Sequence, residues 1–275
     1  MNVRALLELC RISNLPTVWS NAFIGLFAGV YAGYIAPEDG SPRDLSADQL
    51  IQGISRNPLE FALVTLAVIL PFSLLYMGGM VLNDVVDHAV DAQERPARPI
   101  PSGRISIRAA SRLARARLVI GFLSIVLLEW LFTSAQSVPF LATALAGALV
   151  ISIVLYNAIH QRSAMAVLLM SACRSLLILT AATLISAPVA EMDRILFFAG
   201  PAATVFVYTL LISIVARNEM QPRWFGGPKT IMNMIAAMPL LDAAWLVAMG
   251  LWPASVFCIA CAGMTKLAHR KVAGS

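Results

Sequence analysis

The chain is 275 residues long, 59% hydrophobic and only 13% charged, with a formal net charge of +5 and a mean hydropathy of +0.78. Soluble domains carry about 25% charged residues, so this composition excludes an ordinary soluble domain and describes a polytopic membrane protein. Topology and anionic lipid headgroups account for the basic excess, and with no nucleic-acid-binding motif in view no nucleic-acid partner is expected.

Eight apolar segments are predicted, at 14–36, 59–82, 109–132, 138–157, 164–187, 195–216, 230–250 and 252–267. Each is close to the length that one helical crossing of a bilayer requires. None shows the alternation of a lipid-facing barrel strand. The expected fold class is therefore an all-α polytopic membrane protein with about 8 transmembrane helices, 9 being left open.

The first segment is longer than the apolar stretch of a signal peptide and is expected to stay in place as a helix. It carries Gly25, Gly29 and Gly33, a spacing that lets helices approach closely in lipid. The loop 37–58 that follows is acidic, rich in Pro and Gly, and expected to cap the outer face. The second segment ends in Gly78-Gly79 and then in Asn83-Asp84-Val-Val-Asp87-His-Ala-Val-Asp91. On a continuous helix these four polar residues fall within about 100° of one another. Acids at a helix C-terminus oppose the helix dipole, and three like charges on one face repel. A divalent cation offsets both costs, and hard oxygen donors without Cys or His point to Mg²⁺, which held this way usually also holds a phosphate.

A basic loop comes next, Arg95-Pro-Ala-Arg98-Pro-Ile-Pro-Ser-Gly-Arg104. Alone it reads as a topological signal. Beside an acid–metal site its guanidinium forks suit the remaining oxygens of a diphosphate, and the three prolines stiffen their presentation. Further along, Glu129, Arg174 and Asp242 place charge inside apolar segments, where charge is expensive and faces a cavity or a partner. Arg174 is expected either to line the polar end of a cavity or to form a buried structural pair; Glu129 and Asp242 carry no predicted role. In Tyr156-Asn-Ala-Ile-His160-Gln-Arg162, Arg162 is the candidate for a phosphate contact, a lone loop His being more often a bystander. The sixth segment ends at Arg217-Asn218-Glu219, a faint echo of the second. Cys10, Cys173, Cys258 and Cys261 read as small packing residues, CxxC spacing at 258–261 being weak on its own.

With the N-terminus inside, sixteen Lys and Arg residues fall in inner segments and three (Arg43, Arg56 and Arg194) in outer ones. This positive-inside bias supports an even number of crossings. It puts both termini, the acidic motif and the basic loop in the cytoplasm, with the bacterial inner (plasma) membrane as the expected location.

Residues 83–106, Asn-Asp-x-x-Asp-x-x-x-Asp followed by Arg-Pro-x-Arg-Pro-Ile-Pro-Ser-Gly-Arg-Ile-Ser, closely resemble the first signature of the UbiA superfamily of intramembrane prenyltransferases. Arg11-Ile-Ser-Asn14-Leu-Pro-Thr-Val-Trp is similar to that family's entry into its first span. The resemblance implies a single domain over 1–275, a helical ring around a lipid-open cavity, and Mg²⁺-dependent transfer of a prenyl group from an isoprenoid diphosphate to an aromatic or lipophilic acceptor within the membrane. It implies Asn83, Asp84, Asp87 and Asp91 as Mg²⁺ ligands, with Asp87, Asp91 and Glu219 catalytic. Asn14, Arg95, Arg98, Arg162 and Arg174 are then substrate contacts. The partners are a prenyl diphosphate, a lipophilic acceptor and membrane lipids. One departure stands out: where the family carries a second Asp-x-x-x-Asp motif, this chain has Val215-Ala-Arg217-Asn218-Glu219-Met-Gln-Pro-Arg223. Glu219 is its one acid, either a further ligand or an ordinary loop residue. A non-catalytic protein that binds or exports isoprenoid lipid, and a secondary transporter, are the alternative functions.

Overall fold

Lipid offers backbone N–H and C=O groups no hydrogen bonds, so apolar segments satisfy them internally as helices. The computed structural model describes residues 3–34, 47–132, 140–184, 192–218 and 228–271. Among them lie eleven α-helices: α1 Val3–Leu9, α2 Leu15–Tyr34, α3 Ala47–Arg56, α4 Pro58–Val86, α5 His88–Glu94, α6 Ile107–Phe132, α7 Leu141–Ile159, α8 Ala166–Thr183, α9 Met192–Asn218, α10 Pro228–Ala248 and α11 Trp252–Lys271. A 3₁₀ turn at Ile12–Asn14 joins α1 to α2.

Each predicted apolar segment is a long helix, with ends shifted by a few residues. Among the described residues, five stretches are long and apolar enough to cross a membrane: Pro58–Val86, Leu141–Ile159, Ala166–Thr183, Leu196–Arg217 and Lys229–Ala248. The first turns of α6 carry Arg108, Arg112, Arg115 and Arg117, and the last turns of α11 carry Lys266, Arg270 and Lys271. Leucines stand exposed along the outer faces, as Leu59, Leu63, Leu66 and Leu70 do on α4. Such a stripe is stable against lipid and not against water. The chain is an integral membrane protein. Part of the expected outer loop, residues 47–56, is the amphipathic helix α3; residues 35–46 lie outside the described residues.

The long helices follow one another in an arc: α4 packs on α6, α6 on α7, α7 on α8, α8 on α9, α9 on α10 and α10 on α11. Helix α2 lies inside the arc, against α4, α8, α9, α10 and α11. Its position follows from its sequence, which is apolar all the way round. Val18, Ala22 and Leu26 enter one core cluster, and Phe23, Ile24 and Phe27 enter the other. The glycine spacing has its predicted use here, since a Cβ at Gly25 or Gly29 would run into the backbone carbonyl of Ile178 or Ala182 on α8. Open space lies beside α2.

Among the described residues, one such space is a cleft of about 770 Å³ between α2, α3, α4 and α11. Trp19, Phe23, Phe27, Phe61 and Phe257 line it, and it reaches Leu15 at the start of α2. Along α2 from Leu15 to Phe27 it extends about 18 Å.

Candidate functional site

Helices that alternate in direction bring the polar ends of α2, α4, α7, α9 and α11 to one face. Helix α4 ends at Val86 and α5 starts at His88, with Asp87 as a one-residue joint. The backbone bonds continue across it, from Asp87 N to Asn83 O at 2.9 Å and from Asp91 N to Asp87 O at 2.8 Å. The four motif residues therefore keep the predicted face. They split into two pairs along it, as their helical angles dictate: Asn83 and Asp87 on one edge, Asp84 and Asp91 on the other.

Asp84 and Asp91 grip one guanidinium. Arg98 Nη1 lies 2.6 Å from Asp91 Oδ2 and 3.6 Å from Asp84 Oδ1, and Arg98 is buried. A second cation reaches Asp84 from the chain's start: Arg11 Nη2 sits 3.2 Å from Asp84 Oδ1 and donates to Asn83 Oδ1 at 3.4 Å. Arg11 adopts the left-handed conformation, φ 44° and ψ 50°, which is costly for a residue with a Cβ. Strain of this kind persists where surroundings impose it and clusters at functional sites. Arg95 is the exposed member of the group, its Nη1 3.8 Å from Asp91 Oδ1.

Asp87 faces the loop after α7. His160 Nε2 lies 2.9 Å from Asp87 Oδ1, Asn83 Nδ2 lies 3.5 Å from the same nitrogen, and Gln161 Nε2 donates to Asp87 Oδ1. His160 also stacks on Tyr156, the ring centroids 5.4 Å apart. In this loop His160 reaches the acids, while Arg162, the predicted phosphate contact, stands exposed. The signal that sequence reading lacks is the direction of α7, whose last turn aims residue 160 rather than 162 at α4.

The basic loop is folded on itself. Arg98 N bonds to Arg95 O, Ser102 N to Arg98 O and Ile105 N to Pro99 O, each at 3.0 Å. Gly103 takes a φ of 73°, open to glycine at little cost. Arg104 is a brace: it forks onto Glu8 at 2.8 and 3.2 Å and donates to Ala97 O at 2.6 Å. The Glu8 carboxylate that accepts those bonds raises the Arg104 pKa above its ordinary value.

Arg174 sits deeper. Its Nη1 donates to Asn21 Oδ1 at 3.1 Å and its Nη2 to Thr17 Oγ1 at 3.0 Å, while its guanidinium lies over the Tyr76 ring at 5.8 Å. Asn21 Nδ2 in turn donates to Asp242 Oδ2 at 2.8 Å. Of the two expectations for Arg174, its bonds match the buried structural pair, reached through Asn21, and it also lines a small cavity. Asn14, the candidate at the start of α2, accepts from His269 Nε2 on α11 at 2.6 Å. Glu219 and Arg223 lie outside the described residues.

The model of the UbiA prenyltransferase family matches residues 49–275. The chain belongs to this family.

Its similarity to curated relatives is strongest in shorter stretches. It is 30% identical over 129 residues to digeranylgeranylglyceryl phosphate synthase of Sulfurisphaera tokodaii, a match covering 47% of this chain and 37% of that protein. It is 43% identical over 82 residues to the synthase of Korarchaeum cryptofilum, 29% of each chain. The chain thus matches about a third of the length of these relatives. A solved structure from work on digeranylgeranylglyceryl phosphate synthase in membranes shares the fold, with a TM-score of 0.52 at 14% identity over 98% of this chain and 95% of that one.

For a UbiA-family chain the question at the acidic face is whether its donors suit Mg²⁺. Among the described residues no three of His, Cys, Asp and Glu gather into a metal cluster. Asn83 and Asp87 share one edge of the face: Asp87 Oδ1 and Asn83 Nδ2 lie by His160 Nε2, and Asn83 Oδ1 accepts from Arg11. Mg²⁺ keeps several waters and binds through one or two carboxylates plus substrate phosphate. Hard oxygens on Asn83 and Asp87 fit that mode of shared binding, and the arrangement is not an all-protein cage. Asp84 and Asp91, expected as ligands too, here hold Arg98.

Proposed function

We propose that this single domain, residues 1–275, transfers a prenyl group from an isoprenoid diphosphate to a lipophilic acceptor within the membrane, with Mg²⁺ as cofactor. The observation that carries this reading is the face where Asp84, Asp87 and Asp91 meet Arg11, Arg95, Arg98 and His160, in a chain that also holds an apolar, aromatic-lined cleft reaching Leu15 at the start of α2. The face suits a diphosphate and the cleft suits a hydrocarbon chain. The names of the relatives, which describe a glyceryl phosphate bearing two geranylgeranyl groups, support an isoprenoid donor.

Asn83 and Asp87 would hold the ion, with Glu219 a further candidate ligand. When bound, Mg²⁺ supplies positive charge to the diphosphate oxygens that gain negative charge as the bond breaks. Arg11, Arg95 and Arg98 take the remaining oxygens, with Arg162 on the rim. Asp84 and Asp91 hold Arg98 in place, so its guanidinium is oriented before substrate arrives. The allylic C–O bond breaks with its electron pair on the diphosphate. The acceptor bonds to the freed carbon and gives up a proton to the released diphosphate. The apolar walls at Trp19, Phe23 and Phe257 exclude water, which would otherwise capture the cation.

The test is diphosphate release from geranylgeranyl diphosphate by the full chain in lipid nanodiscs. Release should stop on chelation, return with Mg²⁺, and fall by about a hundredfold or more in Asp87→Asn. Tight binding of the diphosphate with no release over a broad acceptor panel would favour the non-catalytic lipid-binding reading instead.

A further inference from the structure

Helix α1 and the joint behind it are fastened to three other segments. Glu8 accepts a fork of bonds from Arg104 in the basic loop. Cys10 Sγ accepts from Arg117 Nη1 on α6 at 2.6 Å. The carbonyl of Arg11 accepts from Tyr76 Oη on α4 at 3.4 Å. Beneath these bonds Ala5 and Leu9 pack with Val81 on α4 and with Ala110 and Ala114 on α6. Arg11, held in its left-handed conformation, leads from this anchored helix toward α2.

The tie at Glu8 reaches furthest, because Arg104 uses all three of its nitrogens. Nη1 and Nη2 hold Glu8 at 2.8 and 3.2 Å, Nη2 also donates to Ala97 O at 2.6 Å, and Nε donates to Ser102 Oγ at 3.0 Å. Ser102 Oγ donates in turn to Arg98 O at 2.7 Å. The carbonyls before and after the Arg98 Cα are therefore both held from Arg104, one directly and one through Ser102. On the other side, Glu8 stands one helical turn before Arg11, whose N–H donates to Glu8 O at 3.0 Å. One ion pair thus joins the segment that bears Arg11 to the loop that bears Arg98. Their two guanidiniums meet at a single atom, Asp84 Oδ1, 3.2 Å from Arg11 Nη2 and 3.6 Å from Arg98 Nη1. Like charges this close repel, so the spacing depends on backbones that are held.

We propose that Glu8 and Arg104 are positioning residues for a diphosphate. Their brace holds α1 against the basic loop, so that Arg11 and Arg98 present their guanidiniums at a fixed separation to the oxygens of one diphosphate. Neither Glu8 nor Arg104 touches the diphosphate. This rests on the reading above in which Arg11 and Arg98 bind it. A partly exposed ion pair contributes little to stability, while a two-bond fork adds geometric precision. With the brace removed, the apolar contacts still hold α1, but binding must order the two guanidiniums afresh, which costs affinity.

The experiment measures the affinity of the full chain in nanodiscs, with Mg²⁺, for two probes that share a chain. One is a non-hydrolysable geranylgeranyl diphosphate and the other is geranylgeraniol, which lacks the diphosphate. Glu8→Ala should weaken the diphosphate probe by about fivefold to tenfold, leave the alcohol unchanged and barely move Tm. Glu8→Gln, which still accepts one bond, should fall between Glu8→Ala and wild type. Arg104→Ala should weaken the diphosphate probe at least as much, and adding Glu8→Ala to it should change nothing further. The sign is decisive, since removing a negative charge near an anion site would by charge alone tighten binding. Tighter or unchanged diphosphate binding in Glu8→Ala overturns the proposal. So does an equal loss for the alcohol, or losses that add in the double variant. If the brace behaves as expected and wild type releases no diphosphate from geranylgeranyl diphosphate, the positioning role stands and the transferase reading falls. If wild type releases diphosphate and Glu8→Ala binds as wild type does, the transferase reading stands and the brace falls.

Discussion

At the scale of single residues, partners decide what each charge does. Arg104 looked interchangeable with Arg95 and Arg98 in the loop sequence. It is spent on Glu8, whereas Arg98 is clamped between two aspartates and Arg95 stays exposed. The same holds in the loop after α7. His160 touches Asp87 and Arg162 stands on the rim, so His160→Ala should weaken binding of a non-hydrolysable prenyl diphosphate by about tenfold, and clearly more than Arg162→Ala does. Titration calorimetry on the two variants checks this; equal effects would return the contact to Arg162. Arg11 stands in sequence beside the predicted Asn14, yet its left-handed backbone and its bond to Asp84 are matters of conformation that a residue string does not carry.

At the scale of helices, charges inside apolar segments have become connectors. Glu129, given no role from sequence, accepts from the backbone N–H groups of Ala142 and Thr143, each at 2.8 Å. Those are the first turn of α7, which follows Phe140 in the left-handed region with no side-chain cap of its own. A buried carboxylate at a helix N-terminus satisfies bare donors and meets the positive end of the dipole. Glu129→Ala should therefore destabilise the fold by about 1–3 kcal/mol, read as a lower Tm in detergent. Glu129→Gln should lose less, because its amide oxygen still accepts. The joint at Asp87 shows a related point. The helical wheel put four polar residues on one face, and the face was right, but its two edges meet different elements and do different work.

At the scale of the whole molecule, the basic residues and the site share one face. Gln93 in α5 is exposed beside the site, and Phe140 at the opposite end of α7 is exposed too. The positive-inside bias predicts that the site face lies in the cytoplasm. In a cysteine-free background, Gln93→Cys should resist a membrane-impermeant maleimide in intact cells and react after permeabilisation. Phe140→Cys should react at once. The reverse pattern would invert the topology and the access route of the diphosphate.

Hydropathy and period were enough to draw the helices, because a lipid-facing helix must be apolar along its length and satisfy its own backbone. The run from Asn83 to Arg104 was equally legible, since its members are close in sequence and each residue type has narrow chemistry. Only the tertiary structure put α2 inside the arc, split the acids between Arg98 and His160, and brought Arg11 to Asp84 across 73 positions. Those outcomes depend on which helix faces which, and packing chooses that among surfaces the sequence leaves equally apolar.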